Sequence, residues 1–195
     1  MKQVGMGNVS GRMTKIVFAA TLIFAGCGDP WVVVRQASPN PFIHHAAFGV
    51  EPMHYEGLTV GGDSEAAYLA DKDAQARAGW EQDKAAIDTS LRAGIQEELR
   101  GHPLVAPGQD PFTLRPQVTF IEPGIYSGVF NKASRVELTL FIVDSHSGAV
   151  LDEIQFEASE NATLTSPSIG QRLRGCGRHI GRLIAEYVAR RTGVE

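Results

Sequence analysis

The chain has 195 residues, 21% charged and 43% apolar, which suits one ordinary globular domain and argues against both disorder and many membrane spans. Its formal net charge is −4, from 18 basic and 22 acidic residues. Lys2, Arg12 and Lys15 precede Cys27 and no acidic residue does, so without that segment 15 basic residues face 22 acidic ones. A surface this acidic lacks the positive charge that releases phosphate counterions, so no nucleic-acid partner is expected.

In chain order, the first 26 residues read as a targeting segment. Met13-Thr14-Lys15 gives a short positive start, and Met13 is itself suited to begin translation. Ile16 to Ala25 is uncharged and apolar, about half the ~20 residues a membrane-crossing helix needs. Gly26-Cys27 closes the run. Phe24-Ala25-Gly26-Cys27 resembles the lipobox of bacterial lipoproteins, with Phe24 where the family prefers Leu. The resemblance implies cleavage before Cys27, a diacylglycerol on its sulfur, and fatty acyl chains such as palmitate anchoring the protein. One acyl chain binds a membrane only marginally, whereas a second makes attachment stable. Gly28, not Asp, follows the cysteine, which by resemblance to enterobacterial sorting implies the outer membrane, with the domain facing the periplasm. The expected organisation is a signal peptide over 1–26, lipid attachment and a short tether over 27–30, and one α+β domain over 31–195.

Trp31 to Gln36 is β-branched and predicts a strand, which only Gly28-Asp29-Pro30 separates from the lipid. No long Pro/Ser/Gly-rich tether intervenes. Ser38-Pro39-Asn40-Pro41 is loop chemistry, and Phe48–Tyr55 predicts a second strand interrupted by Pro52. Gly61-Gly62-Asp63-Ser64-Glu65 predicts a helix start capped by Asp63 or Ser64. Trp80, Ile87, Leu91, Ile95 and Leu99 then form one apolar stripe, ended by Gly101 and Pro103 and weakened at Gly79. Leu104–Pro111 reads as a linker.

Strands are expected over Arg115–Glu122, Arg135–Val143 and Val150–Glu157. The turn Asp144-Ser145-His146-Ser147-Gly148 joins the last two as an antiparallel hairpin. Ser166 as cap and Pro167 as first residue predict a final helix, with Ile169, Leu173, Cys176, Ile180 and Ile184 on its apolar stripe. The fold class expected is α+β, a mainly antiparallel sheet with two long helices packed on one face.

Sites of chemistry are sparse. Gly175-Cys176-Gly177-Arg178-His179-Ile180-Gly181 is rich in glycine, yet it lies inside a helical pattern and not between a strand and a helix, so close packing is expected there and not a phosphate cradle. The arginines of that helix suit an acidic lipid headgroup or a solvated face paired with Glu137, Asp152, Glu153 and Glu157. His44, His45 and His54 match no zinc spacing. No Gly-x-Ser-x-Gly elbow surrounds a serine; Ser64, Ser134 and Ser166 read as turn or cap residues. Cys176 reads as a buried small hydrophobe. No cofactor, metal or catalytic residue is expected. Tyr126, Val129 and Phe130 are conspicuously apolar for a connection between strands. They suit either a partner-binding loop or side chains folded back onto the core.

From Val118 onward the chain resembles a loose group of bacterial envelope lipoproteins. The resemblance rests on Phe120-Ile121-Glu122-Pro123-Gly124, the strand Val136–Val143, the turn Asp144 to Gly148, Val150-Leu151 and the helix Ser166–Arg191. The layout is also similar to activators of penicillin-binding proteins and to periplasmic domains of lipoprotein secretion channels. It implies a non-catalytic binding or assembly factor with an envelope protein partner, reached through the Glu122–Arg135 loop or a sheet edge. An envelope hydrolase and a self-associating structural lipoprotein are the alternatives.

Overall fold

A computed structural model describes residues 29–99, 103–127 and 130–193. The sheet is built from β1 (Trp31–Arg35), β2 (Phe48–Val50), β3 (Thr59–Val60), β4 (Asp63–Ser64), β5 (Leu104–Val105), β6 (Phe112–Glu122), β9 (Ser134–Asp144) and β10 (Val150–Glu160), while β7 (Ile125–Tyr126) and β8 (Asn131–Lys132) form a separate hairpin. The helices are α1 (Glu65–Leu69), α2 (Ala74–Glu98) and α3 (Ile169–Thr192).

The class is α+β, but the sheet is mixed and the described residues hold three helices. The antiparallel part is the expected one, in the order β1-β10-β9-β6. On the far side of β6 the chain from Phe48 to Val60 runs parallel to it: Val50 pairs with Leu114, His54 bridges to Gln117, and Val60 pairs with Ile121. β5 then adds in parallel to β2, so part of the expected linker is a strand. Strand pattern alone does not encode direction. Pairing of Phe48–Val60 with β6 depends on a crossover through α1 and α2, which no local periodicity reports.

The β9–β10 hairpin is as read, with Leu138 opposite Phe156 and Leu140 opposite Ile154. Alternation places Val136, Leu138, Leu140 and Ile142 of β9, with Ile154, Phe156 and Ala158 of β10, in the core, while Glu137, Phe141, Gln155 and Glu157 stay on the open face. α3 lies over β9 and β10 and runs beside α2. Both long helices cover the apolar sheet face and share one core with it, which includes Trp80, Ile87, Leu91 and Ile95 of α2.

Helix boundaries depart from the expectation in instructive ways. Gly61 and Gly62 have φ of 63° and 108°, so they make the tight β3–β4 turn before any helix begins. Ser64 then caps only α1. The break falls before Asp73, which caps α2 by accepting from the Ala76 N–H, and Gly79 is inside α2. Ser168, not Ser166, caps α3, because Gln171 at the third helical position completes a capping box with it. Ile169 is consequently 39% exposed and off the stripe. Gly193, at φ 70°, ends the helix with Arg190 and Arg191 in its last turn.

The glycines of α3 do permit close packing, but helix on helix. A Cβ on Gly177 would meet the Ile87 carbonyl oxygen at 2.7 Å, and one on Gly181 would collide with the Leu91 carbonyl. Gly94 of α2 reciprocates against the Arg178 carbonyl.

Candidate functional site

The segment between β6 and β9 is a short hairpin on a rigid base. Gly124 has φ 73°, and a Cβ there would lie 2.5 Å from the Lys132 carbonyl oxygen, so the turn out of β6 requires glycine twice over. Ser134 is fully buried and its hydroxyl donates to the Pro123 carbonyl at 2.6 Å. It begins a strand and is not a turn residue, as its sequence context had suggested. The Arg172 guanidinium, 1% exposed, donates through Nε to Ser134 Oγ at 2.9 Å and through its terminal nitrogens to the carbonyls of Pro167 and Pro123. Together they bind the first turn of α3 to both feet of the hairpin. Lys132 pairs with Glu122 across the base.

Beyond that base the hairpin is apolar and uncovered. Ile125 is 55% exposed, Tyr126 36% and Phe130 76%. Ser127 closes the tip, its Oγ accepting from the Phe130 N–H at 3.0 Å. Tyr126 and Phe130 therefore stand on one short hairpin and are not folded onto the core. Val129, the third residue singled out, and Cys27 lie outside the described residues. Leu164, in the loop between β10 and α3, is 88% exposed. An isolated leucine among Thr and Ser gave no periodic signal that marks it. Arg172 reads from the sequence with the other arginines of that helix, as part of a solvated or headgroup-binding face, although it falls four residues before the buried Cys176 and shares its face.

Other candidates resolve into structural contacts. Arg191 alone of the α3 arginines pairs with an acid named from the sequence: Asp152, fully buried, accepts from Arg191 Nε at 2.9 Å, the Tyr187 hydroxyl at 2.6 Å and the Ala37 N–H at 2.7 Å. Burial, with the Asp152 contact adding to it, pushes the Tyr187 phenol well above its ordinary range. Arg178 and Arg182 face Glu97 and Glu98 of α2 instead. Arg190 pairs with Asp29 and Glu186. His45 contacts Asp110 at 2.7 Å and His54 contacts Glu51 at 3.0 Å, in separate places, and among the described residues no three metal-ligating side chains gather. Cys176 is buried, which pushes its thiol up to about 12 and leaves it protonated and unreactive.

A depression of about 430 Å³ opens on the polar sheet face, between β1, β10, β9 and β6. Its carboxylates Glu137 and Glu157 sit directly opposite each other, and Arg135 bridges both, at 2.8 and 3.5 Å.

No family model and no curated protein matches the chain. Among solved structures it is similar to the PelC dodecamer from Paraburkholderia phytofirmans, at 12% identity over 80% of this chain and 97% of that one, with a TM-score of 0.43. It is similar to a protein from Xanthomonas campestris at 12% identity, covering 83% and 97%, with a TM-score of 0.45. It is also similar to a lipoprotein from Neisseria meningitidis at 15% identity, covering 74% and 99%, with a TM-score of 0.31. At these identities and scores the similarity assigns the chain to no family.

Proposed function

We propose that the protein is a bacterial envelope lipoprotein, tied by acyl chains on Cys27 to the periplasmic face of the outer membrane, and that it is a non-catalytic binding or assembly factor. Its contact element is the hairpin between Glu122 and Arg135. The observation that carries this reading is the contrast within that segment: a base buried around Arg172 and Ser134, and a tip that leaves Ile125, Tyr126 and Phe130 in water. Apolar side chains held out on a rigid support lose little entropy when a surface covers them. The lipobox resemblance supplies the anchor, and the brief tether keeps the contact element at the membrane.

The test separates the hairpin from the anchor. Cys27→Ser protein, which lacks the lipid, should co-sediment with isolated envelope fragments, and adding Tyr126→Ala with Phe130→Ala should abolish that while leaving the denaturation midpoint unchanged. Equal sedimentation of the two proteins would sink the hairpin as contact element.

A second reading has one observation in its favour. Among the described residues β1 pairs only with β10, and Val32, Val33 and Val34 are 50%, 43% and 51% exposed on that open edge. Self-association through β1 would make the Cys27→Ser protein a concentration-dependent oligomer by sedimentation velocity; a monomer at all concentrations would exclude it.

A further inference from the structure

We propose that the depression on the open face of the sheet binds a small aliphatic polyamine, whose ammonium groups meet Glu137 and Glu157 and whose methylene chain lies along Val32 and Pro30. The site is separate from the hairpin and does not depend on the reading of Cys27.

The floor of the depression carries the argument. Thr139 stands on β9 between Leu138 and Leu140, whose side chains enter the core, so its own points to the open face. Gln155 of β10 and Gln117 of β6 lie opposite it on either side. Thr139 lines the depression and is 7% exposed. Six polar or charged side chains are buried among the described residues, and five of them are hydrogen-bonded: Asp152 to Tyr187, Arg172 to Ser134, Ser134 to the Pro123 carbonyl, Thr192 to the Ala189 carbonyl and Thr113 to the Ser145 hydroxyl. Thr139 is the exception, its hydroxyl having no hydrogen-bond partner among those residues. An unpaired buried hydroxyl is a cost that valine, of the same shape, would not carry. A hydroxyl kept at that place is matched by a group that enters from the open face.

The walls define that group. Glu137 and Glu157 line the depression, while the one guanidinium they share, that of Arg135, is not part of the lining and is held over the Phe120 ring, 4.8 Å from its centre. Two carboxylates on one guanidinium leave a net negative charge, and among the described residues neither accepts a directed hydrogen bond. Asp29 adds a third carboxylate at the β1 end, shared with Arg190. Acceptors therefore outnumber donors, which suits a ligand rich in N–H. An ammonium group donates to a carboxylate and to the hydroxyl oxygen of Thr139 at once. Val32, 50% exposed, and Pro30 supply an apolar strip beside the acids, which suits methylenes between charged ends. The volume of about 430 Å³ falls within the ~300–1,000 Å³ of small-molecule sites and is far more than a bare ion fills.

Isothermal titration of the full-length protein in non-ionic detergent with spermidine tests this. Saturable binding is expected, weakening as salt is raised, and an uncharged aliphatic diol of similar length should give none. Thr139→Val should weaken spermidine binding about tenfold, the loss of one hydrogen bond to a charged group. Without ligand the same variant should melt at or above the wild-type temperature. Glu157→Gln, at an exposed position, should weaken binding as well. No saturable binding of spermidine overturns the proposal. So does binding that Thr139→Val leaves intact, because the amine then merely collects on an acidic surface. A lower melting temperature for unliganded Thr139→Val also overturns it, since the hydroxyl then serves the fold.

Discussion

At the scale of single residues, two buried charges organise the fold, and neither was evident as such from composition. Asp152 satisfies one backbone N–H from the loop after β1 and one phenol and one guanidinium from the last turns of α3. Its removal leaves the largely covered Arg191 without its anion. Asp152→Ala should therefore destabilise the domain by about 3–5 kcal/mol in chemical denaturation. A weaker and pH-dependent effect is expected at Glu51. The two hydrogen bonds from Arg115, at 2.7 and 3.0 Å, hold its carboxyl below the ordinary value of 4.5. A folded-state value below the unfolded one contributes stability above pH 4.5 and loses it as pH falls through the folded value. Glu51→Gln should thus cost about 1 kcal/mol or less at neutral pH, given the solvent screening of a half-exposed pair, and the difference from wild type should shrink below pH 4.5. Denaturation midpoints measured at neutral and acid pH check both size and sign.

At the scale of elements, period-2 and 3.6-residue patterns were legible wherever an element faces one core. β9, β10, α2 from Trp80 and α3 all follow their apolar stripes, and the β9–β10 turn declares itself through Asp144 and Gly148. What escaped was decided by partners distant in sequence. β2, β3 and β5 are two or three residues long; β2 and β3 owe their existence to the edge of β6, and β5 to that of β2. The glycines of α3 were visible, but their partner was not, since the Ile87 and Leu91 carbonyls become neighbours only when α2 and α3 pack together. The close approach predicts opposite outcomes for two similar changes. Gly177→Ala should cost about 1–3 kcal/mol by forcing the helices apart. Gly79→Ala, inside α2 with open space at its Cβ, should stabilise by about 0.5–1 kcal/mol. Thermal melts of the two variants compared with wild type distinguish a packing role from a mere lapse in helix propensity.

For the whole molecule, the decisive property is which apolar side chains are left in water. The site residues named from sequence came from a loop that looked too apolar, and the structure places Tyr126 and Phe130 in water on a supported hairpin. Leu164, 88% exposed in the loop before α3, adds an apolar side chain that no periodicity in the sequence marked.

The anchor on Cys27 is the premise of the proposed function, and the mass of the mature protein purified from membranes tests it most directly. The account predicts an N-terminal peptide that begins at Cys27 and carries a diacylglycerol, absent from the Cys27→Ser protein. A mature chain that retains residues before Cys27, or begins after it, or bears Cys27 as a free thiol would contradict it.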